Sequence, residues 1–369
     1  MPLHLVKPEQ KSFYETESVS KLMNACLFYG PHDVRYEKLL TPEINDNEIL
    51  IKIKAALTCG TDLKTFERSH PKLIKSIPST FGHQFSGVIA GAGKNVQNFY
   101  TGQKVVALNS APCFRCKFCT KEQFSLCENI EFLNGAYAEY IKVPERIVKY
   151  NTYEIPQDIS FESAASLEGL SVVIHGLDRS DISSDKTICI IGTGSIGLMF
   201  AACAKLRGAR VISIGRRDFK LKIARELGAD YVLNSSEFTN TDSLFEEVKY
   251  LTNGNGPEVV IEAVGHLETW ELATKLVCRG GLVNFFGGCK KGTKVELDTY
   301  RLHYDELKLI GVFHHTPKHV QNALDLLKND SFREKIIEKI ITHSLPLQDL
   351  EKAFLMHQSG KAIQVAVIP

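Results

Sequence analysis

The chain carries almost no net charge, because 44 lysine and arginine residues face 43 aspartate and glutamate residues over 369 positions. The charges are spread evenly, so the sequence has neither a basic stripe for a phosphate backbone nor a cationic helix for a membrane surface. We therefore expect a small-molecule substrate, and neither nucleic acid nor a membrane as a partner. A composition of 44% apolar and 24% charged residues is typical of globular domains and excludes disorder of the whole chain.

Long apolar runs are absent as well. The first 20 residues, MPLHLVKPEQKSFYETESVS, contain no apolar segment of the kind that directs export. The longest uncharged apolar run, at 188–204, contains three regularly placed glycines and predicts a strand, a turn and a buried helix rather than a bilayer span. The ten cysteines lack a paired disulfide pattern, since four lie in one cluster and the others are scattered. These features predict a cytoplasmic protein.

Two sequence textures divide the chain. Between about residues 23 and 150, short alternating strands such as ILIKIKAAL and AYAEYIKV are separated by Gly, Pro and Asn turns, which is typical of a β-barrel. Between about residues 186 and 309, buried strands alternate with amphipathic helices, which predicts a parallel doubly wound sheet. The final strand, AIQVAVIP, is expected to return to the first unit. We therefore predict an α/β protein with domain segments at 1–178, 179–311 and 312–369.

Four cysteines form the first candidate metal site. They are spaced C-x2-C-x2-C-x7-C in a polar, turn-rich segment, at Cys113, Cys116, Cys119 and Cys127. Four thiolates saturate a tetrahedral metal ion, so this spacing predicts a structural zinc and leaves no position for a substrate.

A second candidate metal site lies upstream. Cys59 opens the string CGTD, and His83 lies in FGHQFSG, 24 residues later. A catalytic zinc needs a third ligand and a free position, and Glu168 is the best candidate because it is an acid embedded in the apolar stretch SLEGLSVVIHG. The alternative is that the cysteine and the histidine are packed side chains without a function.

A glycine-rich string predicts a dinucleotide site. Gly192, Gly194 and Gly197 form G-x-G-x-x-G directly after the strand TICII and at the start of a helix. In that context the backbone amides bind a pyrophosphate at the positive end of the helix. The predicted cofactor-binding residues of this loop therefore include Ser195 and Ile196 as well as the glycines.

The next strand ends on Gly215, Arg216 and Arg217, where a site for NAD normally has an acid that binds the ribose 2′-hydroxyl. Two guanidinium groups would bind a 2′-phosphate, which an acid would repel. The sequence therefore predicts a preference for NADP(H) over NAD(H). In the alternative interpretation both arginines are solvated and Asp218 binds the ribose.

Taken in order, CGTD, GHQFSG, the four-cysteine segment, LEGLSVVIHGL and IGTGSIGL resemble the zinc-dependent medium-chain dehydrogenase/reductase family, in particular its sorbitol, threonine and polyol dehydrogenase branch. The resemblance covers about residues 23–369. It implies a GroES-like catalytic domain, interrupted by a Rossmann nucleotide-binding domain, with the substrate between them. It also implies a catalytic zinc held by Cys59, His83 and Glu168, hence two Zn²⁺ ions per chain. We further expect a homodimer or homotetramer.

Three residues depart from the family pattern. Gln84 stands where the family has a glutamate after the motif histidine, so an alternative anionic ligand is missing and Glu168 should matter more. Lys64 replaces a histidine that often follows the cysteine motif in a proton relay. Gly169 replaces a proline after the third ligand, which removes a backbone constraint.

The resemblance implies hydride exchange between a nicotinamide and a carbon whose oxygen is bound by the zinc. Thr61 would pass a proton from that oxygen, or would only stabilise the turn. Lys64 would complete the relay, bind substrate hydroxyls or lie at the surface. His314 and His315, in GVFHHTP, would reach the cleft or be ordinary core or surface histidines.

We therefore predict an NADP-dependent zinc dehydrogenase that acts on a polyol, sugar or cyclitol. A reductase of simple alcohols or aldehydes would need an apolar pocket, whereas Lys64, Gln84 and Glu67 lie near the metal loop in sequence. A quinone reductase of the same fold usually lacks the zinc ligands. From another class, a catalytically silent NADPH-binding protein stabilised by one zinc remains an alternative, which Gln84 and Gly169 would favour.

Overall fold

The computed structural model describes residues 19–70 and 73–369. Residues 1–18, which the sequence assigns to the first domain segment, lie outside the described residues. Within the described ranges, no helix combines the length and the apolar character that crossing a bilayer requires.

The strands of the described ranges are, in chain order, β1 (Leu22–Gly30), β2 (Asp33–Leu40), β3 (Ile49–Leu57), β4 (Ser79–Thr80), β5 (Phe85–Ala92), β6 (Lys104–Ala107), β7 (Ser110–Ala111), β8 (Glu131–Phe132), β9 (Tyr140–Val143), β10 (Thr152–Glu154), β11 (Thr187–Ile191), β12 (Arg210–Gly215), β13 (Tyr231–Asn234), β14 (Val259–Glu262), β15 (Leu282–Phe285), β16 (Lys308–Gly311), β17 (Ile341–Pro346) and β18 (Gln364–Ile368).

The α-helices are α1 (Gly60–Arg68), α2 (Glu145–Asn151), α3 (Phe161–Ala165), α4 (Leu167–Arg179), α5 (Ser195–Leu206), α6 (Asp218–Glu226), α7 (Thr241–Leu251), α8 (Leu267–Leu276), α9 (Thr299–Tyr304), α10 (Pro317–Leu327), α11 (Asp330–Phe332), α12 (Glu338–Ile340) and α13 (Leu350–Gln358).

A seven-stranded, mainly antiparallel sheet forms the first unit together with a three-stranded sheet. The large sheet has the order β10-β6-β5-β3-β18-β17, with β9 also paired to β3, and the small sheet has the order β2-β1-β4. Their shared core contains Phe28 from the small sheet and Ile49, Ile51 and Ile53 from β3. Because successive strand residues point to opposite faces, this alternation gives β3 one strongly apolar face.

The chain leaves the large sheet and later returns to it. Strand β18 pairs antiparallel with β3 and parallel with β17. The predicted segment limit at 178–179 falls at the end of α4, which finishes at Arg179, and the limit at 311–312 follows Gly311, the last residue of β16. The exact domain limits stay a prediction.

The intervening segment folds into a six-stranded sheet with the order β13-β12-β11-β14-β15-β16. All its strand pairs are parallel. Ile188 and Ile190 of β11 face one apolar core, whereas Cys189 and Ile191 face another, so helices cover both sides of the sheet. This confirms the predicted doubly wound arrangement. The strand order reverses between β11 and β14, which is where a sheet of this type binds its ligand.

Candidate active site

Cys59 lies where β3 leads into α1, and it caps the N-terminus of that helix. Its Sγ accepts a hydrogen bond from the N–H of Thr61 at 3.3 Å, and its own N–H donates to Asp62 Oδ2 at 2.9 Å. This capping box fixes the sulfur at the positive end of the helix. Burial raises the pKa of the Cys59 thiol, so a nearby cation is needed to stabilise the thiolate.

His83 faces the thiol from the segment before β5. Its Nε2 lies 3.5 Å from Cys59 Sγ, and its Nδ1–H donates to Asp62 Oδ1 at 3.1 Å. Burial disfavours the imidazolium, but the charges of Cys59 and Asp62 outweigh burial and raise the pKa of His83. Asp62 is not among the residues that the sequence predicts for the site. The sequence could have indicated Asp62, because an acid three residues after the residue that caps a helix completes a capping box.

Glu168 approaches from the first turn of α4. Its Oε2 lies 4.0 Å from His83 Nε2, the same imidazole nitrogen that Cys59 Sγ approaches to 3.5 Å. Its carboxylate also lies within 4.8 Å of ring nitrogens of His314 and His315. Gln84 Nε2 donates to Oε2 at 2.7 Å, and Asn109 Nδ2 donates to Oε1 at 3.3 Å. Burial raises the pKa of Glu168, while His83 and the two amide donors act in the opposite direction.

The two departures at Gln84 and Gly169 are structurally linked. A Cβ at Gly169 would lie 3.1 Å from Gln84 Nε2 and 3.2 Å from Met199 Cε, which is tight. Gln84 Oε1 also accepts from Gln364 Nε2 of β18 at 3.0 Å. The amide is therefore held on both sides, and the glycine leaves room for it beside Glu168.

The donor set fits a zinc ion. Sulfur, nitrogen and oxygen ligands at about 2.0–2.3 Å from one metal ion lie roughly 3–4 Å from each other. The two separations from His83 Nε2 meet this condition, at 3.5 Å to Cys59 Sγ and 4.0 Å to Glu168 Oε2. Cys59, His83 and Glu168 are all buried. Burying a thiolate and a carboxylate on the same imidazole is costly unless a cation compensates the two negative charges, so the environment also favours a metal.

His314 and His315 lie on the Asn109 side of Glu168. His315 Nε2 lies 3.0 Å from Asn109 Oδ1, so Asn109 links the histidine to the carboxylate. His314 has a left-handed φ of 64°, and its Nε2 lies 2.5 Å from Ser110 Oγ. Both histidines are thus buried next to the predicted metal centre. Asn109, the bridging residue, carries no recognisable sequence signal.

Thr61 and Lys64 both lie on α1 but have different surroundings. Thr61 is in the first turn, and its backbone N–H donates a hydrogen bond to Cys59 Sγ. Lys64 Nζ donates to the carbonyl oxygens of Val264 and Gly288, which follow β14 and β15. The Lys64 ammonium is therefore bound by backbone carbonyls. The sequence had suggested a proton relay or substrate hydroxyls as its partners.

The four cysteines predicted to hold the structural zinc, here called the cysteine cage, lie in the lobe formed by the chain between the paired strands β7 and β8. Their sulfur atoms all lie within 4.8 Å of one another, and none forms a disulfide. Zn–S bonds of about 2.3 Å separate tetrahedral sulfurs by about 3.8 Å, and Cys113 Sγ lies 4.0 Å from Cys119 Sγ. The backbone N–H groups of Cys119 and Glu128 lower the pKa of Cys116 to about 6. The lobe therefore suits a structural zinc.

The predicted dinucleotide loop connects β11 to α5. Gly192 has a φ of +113°, and Gly194 precedes the helix, whose first residues are Ser195 and Ile196. A Cβ at Gly197 would lie 1.9 Å from Gly192 O, so the helix can approach the loop this closely only with glycine there. The free amides at this helix start are suited to an anionic pyrophosphate.

Arg216 and Arg217 lie between β12 and α6 and are both exposed. Lys220, one turn into α6, is a third cation near these arginines, and the residues predicted for the cofactor site do not include it. Its spacing of three residues from Arg217 could have indicated it, because residues three apart lie on the same face of a helix. Burial and the charge of Arg217 lower the pKa of Lys220 to about 8. Asp218, the alternative ribose ligand, accepts from Asn234 Nδ2 at 2.7 Å.

Known proteins match both parts of the chain. Residues 45–154 match the model of the alcohol dehydrogenase GroES-like domain, and residues 195–329 match that of the zinc-binding dehydrogenase. An L-threonine 3-dehydrogenase of Bacillus velezensis is 32% identical over 89% of this chain and 93% of its own length. A sorbitol dehydrogenase of Bacillus subtilis is 32% identical over 81% of this chain and 84% of its own length.

A solved structure has the same fold. The crystal structure of a zinc-binding dehydrogenase from Sinorhizobium meliloti, bound to NADP, superimposes with a TM-score of 0.84 at 28% identity, covering 95% of this chain and all of the other. The predicted α/β combination of a GroES-like domain and a Rossmann nucleotide-binding domain is therefore confirmed. The chain belongs to the zinc-dependent medium-chain alcohol and polyol dehydrogenase family, and it is an oxidoreductase.

Proposed function

We propose that this oxidoreductase transfers a hydride between NADP(H) and a polyol, sugar or cyclitol. The observation that carries the proposal is the convergence of Cys59 Sγ and Glu168 Oε2 on His83 Nε2, at 3.5 Å and 4.0 Å, in a buried site. A zinc ion held by these residues would lower the pKa of a bound alcohol or polarise a bound ketone.

The surrounding residues orient these ligands. Asp62 holds Nδ1 of His83 and thereby leaves Nε2 for the metal. Gln84 and Asn109 each donate to a different oxygen of Glu168, so the carboxylate is fixed in one orientation. We assign proton passage to the Thr61 hydroxyl, because the backbone of Thr61 is tied to Cys59 Sγ at the start of α1.

The preference for NADP(H) is supported by charge. Arg216 and Arg217 follow the strand that reaches the ribose, and Lys220 adds a third cation within one turn. A 2′-phosphate carries the charge that such a cluster binds, whereas a 2′-hydroxyl gains little from it. The NADP bound in the Sinorhizobium meliloti structure is consistent with this proposal.

The polyol class is supported by the sorbitol dehydrogenase relative more than by the three polar residues near the metal loop. Glu67 accepts from Gln358 Nε2 at the surface, Gln84 is bound to Glu168, and Lys64 is bound to backbone carbonyls. These side chains are therefore engaged elsewhere. Asn109 is itself bonded to Glu168 and His315, whereas Nδ1 of the buried His315 has no hydrogen-bond partner among the described residues and is a polar atom next to the metal centre.

The decisive experiment combines a substrate screen with metal analysis. Polyols, cyclitols and their ketones are offered with NADP(H) and with NAD(H), and zinc is counted per chain. We expect turnover with NADP(H) and two zinc ions per chain. One zinc and no turnover would support the silent NADPH-binding protein, and turnover confined to simple alcohols or aldehydes would support the apolar-pocket reductase.

A variant of Glu168 tests the metal assignment directly. Glu168→Ala should abolish hydride transfer and release about one zinc ion per chain, because two ligands hold a catalytic zinc poorly. NADPH binding at the glycine loop should persist. Glu246→Gln, at an exposed site on α7, is the control. Retention of both zinc ions with near-normal turnover in Glu168→Ala would show that another residue is the third ligand.

We also propose a homodimer or homotetramer. Strand β16 is an edge of the six-stranded sheet as described, and Tyr300 and Tyr304 of the adjacent helix α9 are 69% and 66% exposed. An exposed strand edge beside large aromatic side chains is suited to pairing with a second copy. Light scattering after gel filtration should give a mass of two or four chains, and Tyr300→Ser with Tyr304→Ser should lower it.

A further inference from the structure

Lys64 belongs to the helix of the metal site, but its partners belong to the nucleotide-binding sheet. Its Nζ donates to the carbonyl oxygens of Val264 and Gly288, each at 3.1 Å, which are 200 and 224 residues away in sequence. These carbonyls lie in the loops that follow β14 and β15. Both loops leave the carboxyl ends of parallel strands, beside the crevice where a dinucleotide binds.

The ammonium lies in a closely fitted backbone pocket. Gly265 has a φ of +86°, and a Cβ there would lie 2.7 Å from Lys64 Nζ and 2.6 Å from Gly288 O. A Cβ at Gly287 would lie 2.4 Å from Gly265 N. The two loops therefore contact each other through their backbones, and the lysine holds them at the point of contact.

The negatively charged carboxylate of Glu262 is linked to the Lys64 ammonium through one peptide unit, Val264–Gly265. Its carboxylate is fully buried, and Oε1 accepts from the N–H of Gly265 at 2.8 Å. The same peptide unit presents the Val264 carbonyl to Lys64. The unit thus donates to a carboxylate on one side and accepts from an ammonium on the other, and hydrogen bonds in such a chain strengthen one another.

The helix that carries Lys64 also carries the metal centre. Cys59 caps α1, and Asp62 in its first turn holds His83. A helix of nine residues therefore connects the metal ligands to the loops after β14 and β15. Movement of these loops relative to α1 would change the separation between the cofactor and a substrate carbon whose oxygen the metal would hold.

We propose that Lys64 is a positioning residue that fastens α1 to the β14 and β15 loops and so sets the distance over which the hydride moves. The proposal rests on the hydride transfer proposed above. It assigns to Lys64 neither proton passage nor substrate binding. Reaction rates fall steeply when reacting groups are displaced, by about 100-fold for 1 Å.

The test uses two variants and a control. Lys64→Met keeps most of the side-chain length but removes the donors, and Glu262→Gln removes the charge behind the shared peptide. Both should lower kcat by about 10- to 100-fold while the alcohol KM and the zinc content stay unchanged. The primary deuterium isotope effect should become more temperature-dependent. Lys328→Met, an exposed lysine at the end of α10, should match the wild type.

The double variant tests the connection between the two residues. If Lys64 and Glu262 act through the Val264–Gly265 peptide, their combined effect on kcat should be close to that of the worse single variant. Effects that multiply would show that the residues act independently and would contradict the proposal.

Trp270 provides a measurement that needs no turnover. It is the single tryptophan of the chain, its Nε1 donates to Gly287 O at 2.9 Å, and its ring stacks on Phe285 at 4.1 Å. Lys64→Met should shift its fluorescence to longer wavelength, because the loop is released toward water. Unchanged emission, or a raised KM with a normal kcat, would overturn the proposal. A wild type without any hydride transfer would instead refute the proposed function, and the emission test would still apply.

Discussion

Gln84 Nε2 donates to Glu168 Oε2 at 2.7 Å, and the missing side chain of Gly169 makes room for that amide. Two departures from the family pattern therefore compensate each other in space. A glutamate at position 84 would place a second carboxylate against Glu168, whereas the amide supports the ionised acid. This pairing argues against reading the two departures as signs of a degraded centre.

A double-mutant cycle at Gln84 and Gly169 should show this compensation. In Gly169→Ala the new methyl group should crowd Gln84 and Met199 at a cost of about 1–3 kcal/mol, reduced by the roughly 1 kcal/mol that alanine gains over glycine inside helix α4. In the background of Gln84→Ala the same change should cost less, since the crowded amide is gone. Urea unfolding of the four zinc-loaded proteins measures the coupling. Strictly additive costs would contradict the link.

The cysteine cage should be structural. Cys116→Ser should remove about one zinc ion per chain and lower the melting temperature, because the closed four-thiolate site stabilises its lobe. Cys278→Ser, outside the cage and partly exposed, is the control. Metal analysis with thermal unfolding makes the measurement, and a Cys116→Ser protein with full stability and both zinc ions would disprove the cage.

Cofactor choice should depend on Arg216 and Arg217. Replacing both with alanine should remove roughly 2–4 kcal/mol of preference for NADPH over NADH, the scale of one or two charge-assisted hydrogen bonds. Arg225→Ala, at an exposed site on the following helix α6, is the control. Titration of both cofactors gives the ratio of dissociation constants. If the wild type bound NADPH and NADH with equal affinity, the proposed NADP(H) preference would be wrong.

Acid should destabilise the protein partly through His357. Burial and then the charge of Lys220 lower the pKa of His357 from 6.5 to about 4. As pH falls below 6.5 the unfolded chain binds a proton that the folded chain rejects, so stability decreases until about pH 4. The loss is at most about 3 kcal/mol. Urea unfolding at pH 7.5 and 5 should show a smaller decrease for His357→Gln than for the wild type.

Exposed His303 provides the comparison for that measurement. His303→Gln should keep the wild-type pH dependence. If His357→Gln kept it as well, other groups would account for the acid sensitivity.

The features that depend on local patterns were predictable from the sequence. The period-2 alternation in β3 and the strand–glycine–helix order around Gly192 reflect short-range backbone geometry, which a single sequence shows directly. The cage follows from close spacing of identical ligands. Cys59 and His83 could be paired because each stands in a distinctive short string.

Other parts of the site required the folded chain. Lys64 finds its partners more than 200 residues away only because two loops meet at the sheet edge. Asn109 lies between Glu168 and His315, and each of these comes from a different element. A single sequence records neither such distances nor the direction in which an amide points. Closeness in sequence to Cys59 likewise suggested that Glu67 lies near the metal loop, but its carboxylate accepts a hydrogen bond from Gln358 at the surface.

The pairing of β18 with β3 also fixes the order in which the active site can assemble during synthesis. The N–H of Thr58, the residue before Cys59, donates to Val365 O, and Gln84 is held by Gln364. The six-stranded sheet is contiguous in sequence and can fold while translation continues. The metal centre cannot be completed until β18 (Gln364–Ile368) has left the ribosome, so a nascent chain stalled before β18 would have its nucleotide crevice but no finished catalytic site.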